Sequence, residues 1–429
     1  MKLFLSLIPI LIFIRRVSMS KYDVLIVGAG LAGLSAAIEL QKKGLEVKIL
    51  EASDAVGGRV RTDKVEGFLL DRGFQVLLTA YPEAQRMLDY KALKLSNFVP
   101  GALVRYRDKN YRIADPFREP QKIFATFKSP YINFGDKLKM LALRNRQKRL
   151  KVSQIFHQKE KTTLEFLQEW NFSEAIIEHF FRPFLGGIFL EKELTTSSRM
   201  FEFVFKMFGE GHAALPAKGM QAIPEQLAEQ LNDETIDFNT KVMAVKKGEV
   251  ITESGEALNA KHIILATDIH ATKQLVNIDI PANTSGTYCL YFSTTWDLLN
   301  EKVLMLNGNH SGLINSVCVP SLVQPNYAPD GQSLLSVSVV KPTDLTLEEL
   351  RLTIQTELRD WFGEVVILRH LKTYHIPHAL PTKKTIAPYS KKEVRPIEDG
   401  IYVCGDYTFN ASINAAMLSG RLTAEAIKN

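Results

Sequence analysis

The 429-residue sequence is poor in cysteine, and its three cysteines (Cys289, Cys318, Cys404) include no Cys-x-x-Cys pair. This pattern excludes a disulfide framework and a thiolate metal site, and it suits a reducing compartment such as the cytoplasm. The sequence also lacks an apolar run of about 20 residues, the length that a membrane-spanning helix requires. It contains no zinc knuckle, helix-turn-helix spacing or aromatic-interleaved basic motif, so no metal and no nucleic-acid partner are expected.

The content of 46% hydrophobic and 23% charged residues is that of a folded protein. A chain of this length exceeds one ordinary core, so two or three globular units are expected.

Two segments leave contact with a membrane open. Residues 136–161 contain nine Lys or Arg and two acids, which fits either a solvated helix face or a surface for anionic lipid. Residues 1–20 form an apolar extension. We favour the interpretation that the natural protein starts at Met19 and that the residues before it come from an upstream start site; the alternative is an interfacial anchor. The alternative to a purely cytoplasmic location is therefore peripheral membrane contact through residues 1–16 and 136–161.

The first motif is a βαβ unit. Residues 23–27 are short, apolar and branched, which predicts a buried parallel strand. Residues 31–43 predict a helix that Gly44 ends, and residues 46–50 predict a second strand.

A Gly-x-Gly-x-x-Gly loop joins this first strand to its helix. Gly28 permits the tight turn, Gly30 allows the backbone to approach a pyrophosphate, and Gly33 allows close packing of the helix on the sheet. The helix N-terminus offers unpaired N–H groups to the phosphates. The predicted contacts with the cofactor in this loop are Gly28, Gly30, Leu31, Ala32 and Gly33.

An acidic residue follows the second strand. Glu51 stands about 20 residues beyond the loop, where a carboxylate binds an adenosine ribose and disfavours a 2′-phosphate. Ala52 follows it, and Gly58 and Arg59 come next, where a guanidinium can hold two phosphate oxygens in a fork. No second complete dinucleotide fingerprint occurs, so a resident NADPH domain is not expected.

Four stretches together resemble the flavin-containing amine oxidase superfamily, which includes monoamine oxidases, protoporphyrinogen oxidase and carotenoid desaturases. They are Gly28–Thr62, Asp71–Pro82, Leu215–Met220 and Ile401–Ala416. The second and fourth are especially similar to plant-type phytoene desaturases. The resemblance implies FAD as cofactor and an α/β fold: a Rossmann-like FAD-binding domain of the GR2 type with an inserted α+β substrate domain.

The resemblance also implies how the chain is divided. Residues 21–80, 216–282 and 391–429 would form the FAD-binding domain. Residues 81–215, mostly helical and rich in Phe, and residues 283–390, mostly strands, would form the substrate-binding domain.

Further cofactor contacts are implied by the same resemblance. In the family, the aspartate that aligns with Asp406 contacts the ribityl chain, and the following helix N-terminus faces the flavin ring. The contacts implied in this sequence are Val242, Ala266, Thr267, Gly405, Asp406, Ser412, Ile413 and Asn414. The alternative is that Asp406 caps that helix. No cysteine lies near Tyr407 or Phe409, so the FAD would be bound non-covalently.

The substrate is a small molecule on this interpretation, and the expected substrate contacts are Tyr374, Tyr407 and Phe409. No catalytic side chain can be assigned from the sequence, and neither can the oligomeric state. The many Phe residues of 172–208 fit either a plain core or the lining of an apolar pocket.

The sequence therefore predicts an FAD-dependent oxidoreductase that removes a hydride from a C–N or C–C bond of an apolar or amine substrate. Oxygen or a quinone-like acceptor would reoxidise the flavin. Two alternatives stay open at this point: a polyene desaturase working at a membrane surface, and a protein that binds FAD without substrate turnover.

Overall fold

The computed structural model describes residues 22–115, 118–119, 129–340, 343–388 and 390–428. The strands are β1 Tyr22–Val27, β2 Val47–Leu50, β3 Thr62–Val65, β4 Phe68–Asp71, β5 Leu77–Leu78, β6 Ser96–Asn97, β7 Gly101–Tyr106, β8 Lys109–Ala114, β9 Ala213–Leu215, β10 Ile236–Asp237, β11 Val242–Lys246, β12 Glu249–Thr252, β13 Ala257–Leu265, β14 Thr284–Thr294, β15 Leu304–Asn307, β16 Ser316–Cys318, β17 Ser333–Val339, β18 Arg369–Pro381 and β19 Ile401–Val403. The α-helices are α1 Leu31–Lys42, α2 Pro82–Met87, α3 Phe134–Arg149, α4 Val152–Ile155, α5 Thr163–Glu169, α6 Glu174–Ile176, α7 Arg182–Phe189, α8 Ser198–Glu210, α9 Ala222–Ala228, α10 Ile269–Leu275, α11 Pro320–Val323, α12 Leu347–Phe362 and α13 Ile413–Ala426. The apolar extension 1–20 lies outside the described residues.

A Rossmann-like sheet is formed by segments far apart in the sequence. Its strands β10, β2, β1, β13 and β19 run parallel in that order. The first half of β13 also pairs with the antiparallel hairpin of β11 and β12. Residues 24–26 at the centre of β1 are fully buried, as a strand covered on both faces requires.

Helices α1 and α13 pack together and run in the same direction. A Cβ on Gly420 of α13 would stand 2.0 Å from the carbonyl oxygen of Ala32, near the start of α1. At the other end of the pair, Lys43 Nζ donates to the carbonyl oxygens of Ala424 and Ile427, at 2.6 and 2.9 Å. Ala32 is one residue after the first residue of α1, whereas Gly420 is seven residues after the first residue of α13. Because these two residues lie side by side, the longer stretch of α13 before the contact places its N-terminus roughly 9 Å beyond that of α1.

The second large sheet has the order β18, β14, β17, β16, β15, β7, β8. Its pairs are antiparallel except for β15 with β7. The segment 134–210 forms most of the helical layer. The strands of the Rossmann-like sheet come from segments that were predicted to form the FAD-binding domain, and those of the second large sheet come from segments that were predicted to form the substrate-binding domain. The division into domains itself stays a prediction.

Segment 81–215 is mostly helical, as expected, but it also contains a hairpin of β7 and β8, whose turn residues Arg107 and Asp108 both have positive φ, 49° and 62°. Such turns usually carry Asn-Gly, so this one gave no sequence signal. Residues 173–181 form α6 followed by a π-helical turn, and Gly209 belongs to the last turn of α8.

Candidate functional site

The carboxyl ends of the parallel strands bring the predicted cofactor residues together. Gly28 follows β1, Glu51 follows β2, Ala266 follows β13, and Gly405 comes two residues after β19. In sheets of this type, ligands bind at the carboxyl edge of the strands. The candidate site is therefore assembled from both ends of the chain.

The three glycines of the loop have different surroundings. Gly28 has φ +104°, and a Cβ on Gly33 would stand 2.1 Å from the carbonyl oxygen of Gly28. A Cβ on Gly30 would have no atom within 4 Å, and no side chain caps α1, which begins at Leu31 and Ala32. Gly33 therefore serves packing, while Gly30 faces open space at an uncapped helix N-terminus, which suits an anion.

Glu51 is buried and holds the loop in place. Its Oε2 accepts from the Ala29 N–H at 2.7 Å, and its Oε1 accepts from the N–H and hydroxyl of Ser53 at 2.9 and 2.6 Å. A carboxylate offers about four acceptor positions, so capacity is left for a ribose hydroxyl. Ala52, beside it, is exposed.

The second glycine pair lies against the first loop. Gly57 N–H donates to the carbonyl oxygen of Ala29 at 2.9 Å. A Cβ on Gly58 would stand 3.6 Å from Gly30 Cα, and Gly58 itself is exposed. The two loops therefore form one continuous backbone surface.

Arg59 and Asp406 connect the two ends of the chain. Arg59 Nη2 donates to Asp406 Oδ1 at 2.6 Å, and Nη1 donates to the carbonyl oxygen of Ala379 at 2.9 Å. The Arg59 side chain remains 37% exposed, which leaves part of the guanidinium accessible to a phosphate. The interpretation of Asp406 as a helix cap is wrong, because Ser412 Oγ caps α13 by accepting from the Ala415 N–H at 3.0 Å.

The predicted adenosine side of the site is also brought together. Thr240 N–H donates to the carbonyl oxygen of Glu51 at 2.8 Å, which places the start of β11, at Val242, beside the acidic residue. Ala266 N–H donates to the carbonyl oxygen of Val27 at 2.8 Å and thereby follows the edge of β1.

Three other predicted contacts lie at the edges of this arrangement. Thr267 Oγ1 hydrogen-bonds Thr272 Oγ1 at 2.8 Å. Ile413 is the first residue of α13 and is partly buried. Asn414 Oδ1 accepts from the Glu83 N–H at 3.0 Å, so this oxygen connects α13 to α2. No ligand contact of these residues is tested, and all three stay predictions.

The expected substrate contacts Tyr374 and Tyr407 are engaged with protein groups. Tyr374 Oη donates to Asp63 Oδ2 at 2.7 Å. Tyr407 is 1% exposed, its ring lies in the core beneath the Rossmann-like sheet, and its hydroxyl lies 3.1 Å from Thr272 Oγ1. Their substrate roles stay predictions.

Phe409 belongs to a row of aromatic rings. Its ring centroid lies 4.6 Å from that of Phe156, which lies 5.7 Å from Phe203, and Phe203 stacks on Tyr81 at 5.8 Å. Most of the phenylalanines of 172–208 are buried, and six of them are at most 7% exposed: Phe172, Phe180, Phe181, Phe189, Phe201 and Phe203. That burial favours the plain-core interpretation for most of them.

Several polar residues beside the Arg59–Asp406 pair were not predicted. Lys383 Nζ donates to the carbonyl oxygen of Tyr407. Burial lowers the pKa of Lys383, while the charge of Asp406 opposes this shift. Ser419 Oγ accepts from the Gly405 N–H at 2.7 Å. The Ser-Gly pair within the last helix was the only sequence signal for Ser419, and no motif marked Lys383.

Asp71 connects the nucleotide site to the second sheet. Its Oδ1 accepts from Thr62 Oγ1 at 2.6 Å and from the Met220 N–H at 2.9 Å, and its Oδ2 accepts from Tyr327 Oη at 2.9 Å. Tyr291 Oη donates to its carbonyl oxygen at 2.9 Å. Burial raises the pKa of Asp71 from 3.8 to about 6, although its hydrogen bonds act in the opposite direction.

Arg72, for which the sequence suggested no role, pairs with a neighbouring acid. Its Nε and Nη2 donate to Asp63 Oδ1 at 3.2 and 2.9 Å. Asp63 also accepts from Lys372 Nζ at 2.9 Å, so the pKa of Asp63 is lowered despite partial burial.

The basic stretch 136–161 is partly neutralised within the fold. Arg144, Arg146 and Lys161 form ion pairs with Asp115, Glu202 and Glu169, respectively. Among the described residues, no helix is both long and apolar enough to cross a membrane, and no group of three or more potential metal ligands occurs.

This edge of the sheet has the features that a dinucleotide requires. Gly30 borders open space before an uncapped helix, Glu51 has acceptor capacity, and Arg59 supplies a partly exposed cation. The second helix N-terminus, at α13, lies at the same edge. The residues present therefore fit a cofactor with a pyrophosphate between two polar ends.

Comparison with known proteins agrees with this geometry. A family model described as flavin-containing amine oxidoreductase matches residues 31–428. Protoporphyrinogen oxidase 2 of Arabidopsis thaliana is 29% identical over 168 residues, which cover 38% of this chain and 32% of that protein. The matched part thus spans about a third of that curated relative.

Solved structures share the fold over nearly the whole chain. An oxidoreductase from Methanosarcina mazei superimposes with a TM-score of 0.70 at 16% identity, covering 92% of this chain and 98% of that one. Putrescine oxidase bound to putrescine superimposes with a TM-score of 0.67 at 18% identity, covering 94% and 98%. The predicted α/β fold with a Rossmann-like nucleotide domain is confirmed.

Proposed function

The chain belongs to the family of flavin-containing amine oxidoreductases, and on that premise we propose that it binds FAD non-covalently and oxidises an apolar or amine substrate. The bond that loses the hydride would be C–N or C–C. Oxygen or a quinone-like acceptor would then reoxidise the cofactor. Membership of this family makes the chain an FAD-dependent oxidoreductase. The substrate and the electron acceptor are the parts that we propose.

The observation that carries the proposal is the joining of the two ends of the chain at one sheet edge. The loop at Gly30 would receive the pyrophosphate, and Glu51 would bind the adenosine ribose. The pair of Arg59 and Asp406, 2.6 Å apart, stands where the ribityl chain would run towards α13. Bound FAD would supply the hydride acceptor, and the protein would orient the substrate and exclude water.

Non-covalent binding is supported by the state of the cysteines. Cys289 and Cys318 lie in strands β14 and β16, Cys404 directly follows β19, and all three are buried. Burial raises the pKa of Cys289 to about 11 and that of Cys404 to about 12, so these thiols stay protonated at neutral pH.

An apolar substrate is supported by the row of buried rings from Phe409 to Tyr81, because it makes the surroundings of the start of α13 apolar. A desolvated pocket beside these surroundings would hold a C–H bond dry. Lys383, whose Nζ donates to the carbonyl oxygen of Tyr407 and whose pKa burial lowers, would place an amine near this pocket.

The test is anaerobic reduction of the purified protein. A yellow preparation should release intact FAD on denaturation and should lose its flavin absorbance with one substrate class among amines and polyenes. Retention of colour by the denatured polypeptide would contradict non-covalent binding. A protein that takes up no FAD would contradict the whole proposal, and a yellow protein that no substrate bleaches would indicate binding without turnover.

A second candidate is a polyene desaturase that works at an anionic membrane surface. One observation favours it: Phe134 and Leu138, one turn apart on the basic helix α3, are 65% and 51% exposed. Apolar side chains flanked by cations suit an interfacial helix. In a sedimentation assay, phosphatidylglycerol vesicles should bind the wild type but not the Phe134→Ser/Leu138→Ser variant. Equal binding of both proteins would exclude this surface.

A further inference from the structure

Two amide side chains near the Arg59–Asp406 pair, the buried Asn410 and the partly buried Gln75, each have a buried atom without a hydrogen-bond partner. Among the described residues, Asn410 Nδ2 and Gln75 Oε1 are buried and unpaired. Asn410 is 0% exposed. Buried polar groups are nearly always satisfied in native proteins, so each orphaned atom calls for a partner.

Hydrogen bonds orient both amides. Ser412 Oγ accepts from the Ala415 N–H and donates to Asn410 Oδ1 at 2.7 Å. Gln75 Nε2 donates to the carbonyl oxygens of Arg59 and Arg72, at 2.9 and 3.3 Å. Because carbonyl oxygens only accept, the orphaned atom of Gln75 is its acceptor, and the atom of Asn410 that Ser412 leaves unpaired is its donor Nδ2.

Both amides are attached to the same part of the site. The residue after Asn410, Ala411, donates its N–H to the carbonyl oxygen of Asp406 at 3.1 Å. Gln75 holds the backbone of Arg59, whose guanidinium donates to the carboxylate of Asp406. Asn410 also stands two residues before the N-cap of α13. The orphaned donor thus lies on the Asp406 side of the ion pair, next to the second helix N-terminus, and the orphaned acceptor lies on the Arg59 side.

A single ligand that satisfies both amides must present an acceptor to Asn410 and a donor to Gln75. The pyrimidine edge of a flavin ring has this alternation, with O2, N3–H and O4 in sequence. We propose that Asn410 donates to the ring oxygen O2 and that Gln75 accepts from the ring N3–H; this assignment rests on the proposed binding of FAD.

The assignment has a redox consequence. A reduced flavin carries its negative charge on the N1–O2 side of the ring, so a donor there binds the reduced form more tightly than the oxidised form. The positive end of the α13 dipole acts in the same direction. Asn410 therefore raises the flavin midpoint potential through direct contact with the ring, and Gln75 sets the affinity for the ring in either state.

The donor is tested by measuring the midpoint potential of the FAD-loaded protein by dye equilibration. Asn410→Leu should lower the preference for reduced over oxidised FAD about tenfold, which corresponds to about 30 mV for a two-electron couple. The matched control is Asn315→Leu, because Asn315 is equally buried but donates to the carbonyl oxygen of Pro183. An unchanged potential in Asn410→Leu would overturn the role of Asn410.

The acceptor is tested with FAD and N3-methyl-FAD, whose ring lacks the N3 proton. The wild type should bind N3-methyl-FAD about tenfold more weakly than FAD, whereas Gln75→Met should bind both equally. Gln324→Met is the control, since Gln324 is a buried amide with its own partners, Lys94 and Ser96. Equal binding of the two cofactors by the wild type would overturn the role of Gln75.

These outcomes are separable from failure of the proposed function. Wild-type protein that binds no FAD would refute the binding proposal itself. If the wild type binds FAD, but Asn410→Leu leaves the midpoint potential unchanged and the wild type binds N3-methyl-FAD as tightly as FAD, only the ring assignment is refuted.

If Asn410→Leu does not fold, 2-thio-FAD in the wild type tests the same contact. Sulfur accepts hydrogen bonds more weakly than oxygen, so the protein should bind 2-thio-FAD more weakly than FAD. Equal affinities would overturn the role of Asn410.

Discussion

Arg59 donates to Asp406 at 2.6 Å across 347 positions of the sequence. Asp406 is buried, and its partner is partly exposed. Two segments that each resemble a cofactor-binding motif thereby become one site, and the charge balance of that site depends on both.

Asp406→Ala should destabilise the protein and weaken FAD binding together. The substitution leaves Arg59 without its carboxylate partner, and we expect a loss of about 1–3 kcal/mol in the free energy of unfolding. Urea unfolding of the apoprotein and fluorescence titration with FAD measure the two effects. Glu66→Gln is the comparison, because Glu66 pairs with Arg369 on the surface and should cost less than about 1 kcal/mol. Equal effects of both substitutions would contradict a special role of Asp406.

Glu51→Gln should weaken FAD binding by about 1.5–3 kcal/mol, because it removes charge-assisted hydrogen bonds to the ribose. The glutamine can still accept from the Ala29 N–H, so the loop should remain folded. Isothermal titration with FAD gives the affinity, and Glu256→Gln in an exposed turn is the control. If the affinity stays the same, the ribose contact is misassigned.

Gly30→Ala and Gly33→Ala should separate binding from folding. A methyl group at Gly30 meets no atom, and its φ of −74° suits alanine, so the unfolding free energy of the apoprotein should change by less than about 1 kcal/mol. FAD affinity should nevertheless fall, because the methyl group fills the space before α1. At Gly33 the same methyl group meets the Gly28 carbonyl oxygen at 2.1 Å and should cost about 1–3 kcal/mol. Normal FAD binding by Gly30→Ala would place the pyrophosphate elsewhere.

Asp71 should make the stability of the protein depend on pH. Its pKa is about 6 in the folded state against 3.8 ordinarily, so the folded state binds the proton more tightly between these values. The contribution of Asp71 is therefore most favourable below pH 4 and is lost as the pH rises through 6, by roughly 3 kcal/mol in total.

Asp71→Asn tests this directly, since it cannot titrate. Urea denaturation at pH 4 and pH 7 gives the unfolding free energies of the wild type and the variant. The stability of the variant relative to the wild type should be higher at pH 7 than at pH 4. A difference that is constant with pH would show that Asp71 does not titrate in this range.

The parts of the site that sequence could predict are those in which function follows from a local pattern. Gly28, Gly33 and Glu51 belong to one βαβ unit, so their spacing along the chain determines their arrangement in space. The proximity of Arg59 to Asp406 could be inferred only through the family resemblance, because no local rule connects residues so distant.

Other features could not be predicted because they depend on packing. The orphaned atoms of Asn410 and Gln75 arise from which neighbours the folded chain provides, and neither amide belongs to a motif. Tyr407 directly follows the Gly-Asp pair, yet the turn at Asp406–Thr408 directs its ring into the core. Strands β7 and β8 were missed because Arg107 and Asp108 are unusual residues for their turn.

The joining of the first and last segments also has a consequence for synthesis. Val27 and Ile401 belong to neighbouring parts of one sheet, and α13 covers α1. A ribosome adding roughly 5–20 residues per second would need about 20–75 s to make the intervening chain. During that interval the nucleotide domain lacks β19 and its covering helix, so the nascent protein exposes the apolar surface that these two elements later bury.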